Sequence, residues 1–125
     1  MKRIINPTQL ILFVVFLLVF SCKKDNLGDN TCNVKDPVKD LAWMKNDINY
    51  INSLSPDVTQ FFAFRMAKYN GETVFYAVYC DPTIDAAYPI RNCAGDTIGY
   101  YGEILPVDLT EQMVIWKSAN CVCAL

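Results

Sequence analysis

The chain of 125 residues contains no histidine. Histidine is the most common general base near neutral pH and the most common metal-binding side chain. Its absence removes the usual centre of acid–base catalysis and of many metal sites. We therefore predict that the protein is not an enzyme and that it carries no cofactor.

The chain also lacks an excess of positive charge. It has 11 basic and 13 acidic side chains, for a formal net charge of −2. Proteins that bind nucleic acids usually present a basic patch to the phosphate backbone. The composition therefore predicts no nucleic-acid partner.

A long apolar segment is missing as well. The apolar run Leu10 to Phe20 follows Lys2 and Arg3 and is shorter than the roughly 20 residues that a membrane-spanning helix needs. A charged start followed by a short apolar core is typical of a secretion signal. We therefore predict that the protein is exported.

The apolar run ends in Val19-Phe20-Ser21-Cys22, where a small residue directly precedes a cysteine. This order resembles the lipobox of bacterial lipoproteins. The resemblance implies cleavage after Ser21, a diacylglyceryl group on the Cys22 sulfur and a further acyl chain, such as palmitate, on its nitrogen. An uncleaved anchor and an ordinary signal peptide are the alternatives. Two or three acyl chains hold a protein firmly at a membrane, whereas one is marginal.

The sequence predicts three parts. Residues 1–21 form the signal peptide, residues 22–35 a polar, flexible tether, and residues 36–125 a single domain. Lys23, rather than an aspartate, follows the cysteine, and among lipoproteins this resemblance implies sorting to the outer membrane. The predicted location is therefore the cell envelope, with the membrane as a partner through the lipid on Cys22.

An amphipathic helix is predicted at the start of the domain. Asp36-Pro37 can cap its first turn, and Ser55-Pro56 ends it. Apolar residues recur between them at spacings of three and four, at Val38, Leu41, Met44, Ile48, Ile51 and Leu54. Trp43 lies at the margin of this apolar face, where we expect it to be buried.

The strongest tertiary signal is a β-hairpin in which Phe61–Tyr69 and Glu72–Cys80 flank Asn70-Gly71. A two-residue loop places Tyr69 opposite Glu72 and therefore fixes every other pair. One face of the hairpin then carries Phe62, Phe64, Met66 and Phe75, and we expect it to pack against the helix. The other face carries Arg65 and is expected to be less buried.

A second hairpin is predicted to run from Tyr88 to Cys93 and, after Ala94-Gly95, from Asp96 to Tyr101. Pro89 suggests that its first strand lies at an edge of the sheet. A helical turn at residues 108–112 and a last strand at Met113–Lys117, with Val114 and Trp116 on one face, complete the domain. The predicted fold class is α+β, with one N-terminal amphipathic helix packed on an antiparallel sheet of about four or five strands.

These elements together show a second resemblance, which spans residues 36–117. The Asp36-Pro37 helix start, the Tyr69-Asn70-Gly71 hairpin and the Asn92-Cys93-Ala94-Gly95 turn resemble a family of small uncharacterised bacterial lipoproteins. The resemblance implies the same fold and brings no activity with it.

The chain has six cysteines, and five remain for the domain if Cys22 carries lipid: Cys32, Cys80, Cys93, Cys121 and Cys123. An odd number leaves at least one cysteine free or paired between molecules. We predict a Cys80–Cys93 disulfide first, and a bond from Cys32 to Cys121 or Cys123 second. No metal site is predicted, because the Cys121–Cys123 pair has no second close pair of ligands.

The most suggestive surface residues are tyrosines: Tyr100, Tyr101, Tyr88 and Tyr76. A tyrosine combines apolar area with a hydroxyl group, which suits recognition surfaces, although tyrosines also fill strands in ordinary sheet packing. We predict a non-enzymatic protein- or glycan-binding module. The alternative is an inhibitor or chaperone of exported hydrolases.

The lipid anchor is testable by metabolic labelling with a fatty-acid analogue. The wild type should incorporate the label and Cys22→Ser should not, because the acylated sulfur is lost. Cys121→Ser serves as the matched control and should be labelled like the wild type. Label that persists in Cys22→Ser, or an unacylated Cys22 found in a disulfide by mass spectrometry, would contradict the anchor.

Overall fold

The computed structural model describes residues 31–125, so the predicted signal peptide, Cys22 and most of the predicted tether lie outside the described residues. Its regular elements are α1 (Pro37–Asp40), α2 (Ala42–Ser53), α3 (Pro56–Thr59), β1 (Phe62–Tyr69), β2 (Glu72–Tyr79), β3 (Pro89–Arg91), β4 (Thr97–Tyr100) and β5 (Thr110–Lys117). The strands form one antiparallel sheet in the order β4-β3-β2-β1-β5. The predicted α+β class is confirmed. None of the helices within residues 31–125 has the length and apolar character needed to cross a membrane.

The predicted single helix is interrupted at Leu41, whose backbone is extended (φ −81°, ψ 113°). Asp36 caps α1 as expected, since the Val38 N–H donates to its carboxylate at 3.1 Å. Leu41 is nevertheless buried in the same core as the apolar residues of α2. The spacing of the apolar residues therefore does not reveal the break. The short helix α3 was not predicted either.

The first hairpin has the predicted register throughout, with Tyr69 opposite Glu72 and Met66 opposite Phe75. The turn residues Asn70 and Gly71 have φ values of 50° and 81°, the left-handed conformations that a tight two-residue hairpin loop needs. The turn therefore sets the pairing of all eight residue pairs between the two strands.

One face of the sheet packs against α2, as predicted. Its buried cluster consists of Leu41, Met44, Ile48, Ile51, Phe64 and Phe75, with Phe62 and Met66 partly buried against it. Phe64 and Phe75 lie on neighbouring strands, on the face that the sequence predicts to pack against the helix. Their burial contributes roughly 1.5–3 kcal/mol for each side chain.

The opposite face, which we call the far face, is more buried than predicted. A second cluster contains Ala67, Val74, Tyr76, Ile90, Ile104 and Leu109. The last two residues belong to the segment that follows β4, and this segment covers part of the sheet. The expectation of a less buried face is therefore wrong around Tyr76, because the pattern within the strands does not show which later segment packs on them.

Pro89 does not mark an edge strand, because β3 lies between β2 and β4. It is the first residue of β3, and pairing with β2 involves only Ile90 and Arg91. The missing N–H group of Pro89 therefore interrupts no ladder to β2.

The last strand begins earlier than predicted, at Thr110, and a 3₁₀ turn at Pro106–Asp108 replaces the expected helical turn. Val114 and Trp116 do not share a face. Trp116 lies opposite Phe64, whereas Val114 lies opposite Arg65, and the register shifts between these two pairs. A bulge inserts one residue and so reverses the side-chain alternation.

The two disulfides of the described residues join Cys32 to Cys93 and Cys80 to Cys123. Both predicted pairings are therefore wrong. Phe75 lies opposite Arg91, so Cys93 is level with the start of β2 and about 23 Å along the strand from Cys80, since a strand rises about 3.3 Å per residue. A disulfide requires α-carbons within about 7 Å. Cys121 forms no disulfide within residues 31–125.

The β3–β4 turn is fastened to the helix through Trp43, which is half-buried. The indole N–H of Trp43 donates to the Cys93 carbonyl at 3.1 Å, and the Arg91 guanidinium lies 5.2 Å from the centre of the ring. Arg91 also forms an ion pair with Asp47 at 2.7 Å. Gly95 packs so closely that an added Cβ would lie 2.7 Å from the ring carbon Cγ of Trp43.

Two glycines that both have positive φ allow this close contact to be tested. Gly71→Ala should lose about 1 kcal/mol of unfolding free energy from backbone strain alone. Gly95→Ala should lose about 1–3 kcal/mol more, because its methyl group would overlap Trp43. Urea denaturation of both variants measures the difference. Equal losses would show that the Trp43 contact has no energetic weight.

Candidate functional site

The structure brings three of the four predicted tyrosines together on the far face. Tyr88 and Tyr101 are adjacent, since the Tyr101 N–H donates to the Tyr88 carbonyl at 2.8 Å. Tyr76 stacks on Tyr101, with ring centres 5.3 Å apart and an interplanar angle of 27°. Tyr76 is only 3% exposed, so it supports the surface rather than forming it.

Tyr100 lies apart from the other three tyrosines. Its neighbour Gly99 faces Ile104 on the far face, and side chains alternate along a strand. Tyr100 therefore projects from the opposite side of β4, where it is 43% exposed. The four predicted tyrosines therefore do not lie on one face of the sheet.

An open groove of about 470 Å³ lies beside the tyrosines, and we call it the tyrosine groove. It is lined by Ile84, Asp85, Ala86, Ala87, Tyr88, Tyr101 and Gly102. Ile84 is 50% exposed at this surface. The groove therefore offers aromatic rings, an apolar side chain and one carboxylate to a ligand.

The wall of the groove, residues 81–88, is held by hydrogen bonds although it has no regular structure. Asp81 accepts from the Thr83 hydroxyl at 2.6 Å and from the Thr83 N–H at 2.8 Å. These two bonds hold the pKa of Asp81 below its usual range. At the other end, the Tyr88 hydroxyl donates to the Tyr79 carbonyl, and burial raises the pKa of Tyr88. The wall is thus fixed at both ends.

Gln112 fixes the base of the tyrosine stack. Its side-chain oxygen accepts from the Tyr76 hydroxyl at 2.6 Å. Its amide nitrogen donates to the carbonyls of Leu109 at 2.9 Å and Pro106 at 3.2 Å. The sequence did not single out Gln112, because a lone glutamine in a strand has no motif that marks it.

A cationic side chain stands next to this network. Arg65 Nη1 donates to the Gln112 side-chain oxygen at 3.5 Å, and Arg65 Nε is buried without a hydrogen-bond partner. No carboxylate of residues 31–125 lies within 4.0 Å of the Arg65 guanidinium. Lys117, which is exposed, lies opposite Ala63 on the same face. This end of the far face is therefore positively charged.

The site is equipped for binding. Among residues 31–125, no three cysteine or acidic side chains lie close enough together to hold a metal ion. In the described part of the chain, the carboxylates in the loops near the sheet also form no group that could hold a metal ion. They are Asp81, Asp85, Asp96 and Glu103. Aromatic rings, hydroxyl groups and a carboxylate along an open groove are groups that orient a ligand.

The Tyr76–Gln112 hydrogen bond has a measurable pH signature. Burial raises the pKa of Tyr76, against a lowering effect of Arg65. Tyr76→Phe should lose about 0.5–1.5 kcal/mol of unfolding free energy at pH 7. The raised pKa means that the folded state holds the proton more tightly, so this stabilisation is present below pH ~10 and is lost as the pH rises further.

The deficit of Tyr76→Phe should therefore shrink above pH ~10 when urea denaturation is repeated across the alkaline range. Tyr100→Phe is the matched control, and it should behave like the wild type throughout because its hydroxyl has no partner in the described residues. A constant deficit at all pH values would contradict the role of the buried hydroxyl.

Known proteins offer no relative from which a function could be transferred. No protein-family model matches the chain, and neither does any curated protein or solved structure.

Proposed function

We propose that the protein is a non-enzymatic binding module of the cell envelope, anchored at the outer membrane through lipid on Cys22, with the tyrosine groove as its ligand site. The observation that carries the proposal is the convergence of Tyr88, Tyr101 and Asp85 on an open groove of about 470 Å³. This volume is within the range of about 300–1,000 Å³ that is usual for ligand sites.

Preorganisation of the groove supports the proposal. The wall is fixed by Asp81 and by the Tyr88 hydroxyl, and the Tyr101 ring rests on Tyr76. Tyr88 and Tyr101 would therefore need little ordering when a ligand binds, which lowers the entropic cost of association.

The anchor would keep this groove close to the membrane. Cys32, ten residues after Cys22 in the sequence, is joined to Cys93 in the β3–β4 turn. Ten residues reach at most about 36 Å when fully extended. The ligand would therefore be a component near the membrane surface, within this reach plus the distance from Cys32 to the groove.

Capture from crosslinked cell envelopes tests the proposal. We compare the wild type with Ile84→Arg, which would fill the groove from a half-exposed position, and with Tyr101→Ala. Both variants should recover at least about tenfold less ligand, a loss equivalent to about 1.4 kcal/mol. Tyr100→Ala is the matched control, because it removes a tyrosine from the opposite side of β4, and it should capture like the wild type.

Thermal unfolding of each variant shows whether the domain remains folded. Undiminished capture by the folded Ile84→Arg and Tyr101→Ala variants alike would exclude the groove as the ligand site. Recovery of an exported hydrolase that loses its activity in the complex would favour an inhibitor over a binding module.

A further inference from the structure

We infer that the ligand of the tyrosine groove is an acidic glycan, and that Arg65, assisted by Lys117, binds its carboxylate groups. This inference rests on the proposed function, because it identifies the class of ligand that the same surface would bind.

The primary observation is an arginine without an anionic partner on a largely apolar sheet face. Arg65 is half-buried, and its contact to Gln112 is long, at 3.5 Å. Its Nε lacks a partner. An arginine side chain carries five N–H donors in a planar fork that fits a carboxylate. Arg65 also acts on the neighbouring Tyr76 hydroxyl, whose pKa it lowers, but no anion among residues 31–125 pairs with its Nη donors.

The chain does not supply that anion within the described residues. The ion pairs of residues 31–125 join Lys39 to Asp36 and Arg91 to Asp47, and neither involves the far-face cations. Lys117 lies opposite Ala63 on the neighbouring strand and therefore on the same face as Arg65. Two unpaired positive charges on one face of a chain with a net charge of −2 point to an external anion.

This cationic end is continuous with the groove. Tyr101 lines the groove and stacks on Tyr76. The Tyr76 hydroxyl shares the side-chain oxygen of Gln112 with Arg65. A ligand that lies over the exposed side of Tyr101 would therefore extend toward Arg65. Asp85, which also lines the groove, would repel a carboxylate and would accept from sugar hydroxyl groups instead.

A glycan fits this surface better than a peptide strand. One common way to bind an extended peptide is to pair it with an unpaired sheet edge. The edge strand β5 has two register shifts along its ladder to β1, and bulges of this kind discourage edge pairing. At the other edge, the Tyr100 carbonyl is already used by the N–H groups of Glu103 and Ile104. Recognition is therefore left to side chains.

Titration calorimetry with two matched probes tests the inference. The probes are an oligogalacturonate, which carries a carboxylate on every sugar, and its methyl ester, which has the same backbone without the charge. The wild type should bind the acid at least about tenfold more tightly than the ester, as expected for one charge-assisted, bidentate contact. This preference should weaken as salt rises from about 0.05 to 0.5 M.

Substitutions assign the preference to residues. Arg65→Gln should abolish it, Arg65→Lys should retain part of it because the charge remains without the fork, and Lys117→Gln should reduce it. Lys45→Gln, at an exposed position of α2, is the matched control and should leave it unchanged. Unfolding curves of all variants check that the domain is intact.

The outcomes separate the inference from the proposed function. Equal affinity for acid and ester, both weakened by Tyr101→Ala, would overturn the inference and leave the groove as a binding site. A lack of binding to either probe, while envelope capture still depends on the groove, would also overturn the acidic-glycan inference and leave the groove as a binding site. Equal binding of an acidic peptide such as a glutamate decamer would replace the glycan with a protein ligand. Binding that is unaffected by Tyr101→Ala would contradict the groove itself.

Discussion

The contact between Trp43 and the β3–β4 turn is the interaction on which the arrangement of helix and sheet depends. The indole N–H bonds to the Cys93 carbonyl, Arg91 lies over the ring, and Gly95 allows the backbone to approach it. The Cys32–Cys93 disulfide attaches the N-terminal segment at the same point and contributes about 2–4 kcal/mol. A hydrogen bond, a cation–π contact and a covalent bond thus meet in one turn, and they fix α2 relative to the outer strands.

On the far face, the hydrogen bonds of Gln112 have a comparable role. They join the Tyr76 hydroxyl to the carbonyls of Leu109 and Pro106, and so attach the segment after β4 to the sheet. This segment leaves Arg65 at its margin and places Tyr101 over Tyr76. The same network that buries half of the far face therefore defines what remains open for a ligand.

The parts of this structure that could be predicted from the sequence are those set by local chemistry. Asn70-Gly71 specifies a two-residue turn, and a turn of known length fixes the register of both strands. The disulfides could not be predicted, because the sequence does not show how β2 and β3 are staggered, and that stagger separates Cys80 from Cys93. The tyrosines were found by residue type, and the alternation of side chains along a strand already places the neighbours Tyr100 and Tyr101 on opposite sides. The stacking of Tyr101 on Tyr76 depends on contacts between distant segments. Gln112 and Arg65 acquire their roles only through contacts between distant segments.

Separation of the two faces explains how a domain of this size can be both stable and open to a ligand. The helix side buries Phe75 completely and Phe64 almost completely, at 0% and 4% exposure, and Trp43 packs against the same cluster. The far face can therefore leave a groove and unpaired cations exposed without loosening the main core. Arg65 stabilises the fold little through its long contact to Gln112, since a hydrogen bond at 3.5 Å is weak. The proposed glycan would supply the anionic partner that residues 31–125 do not give to Arg65.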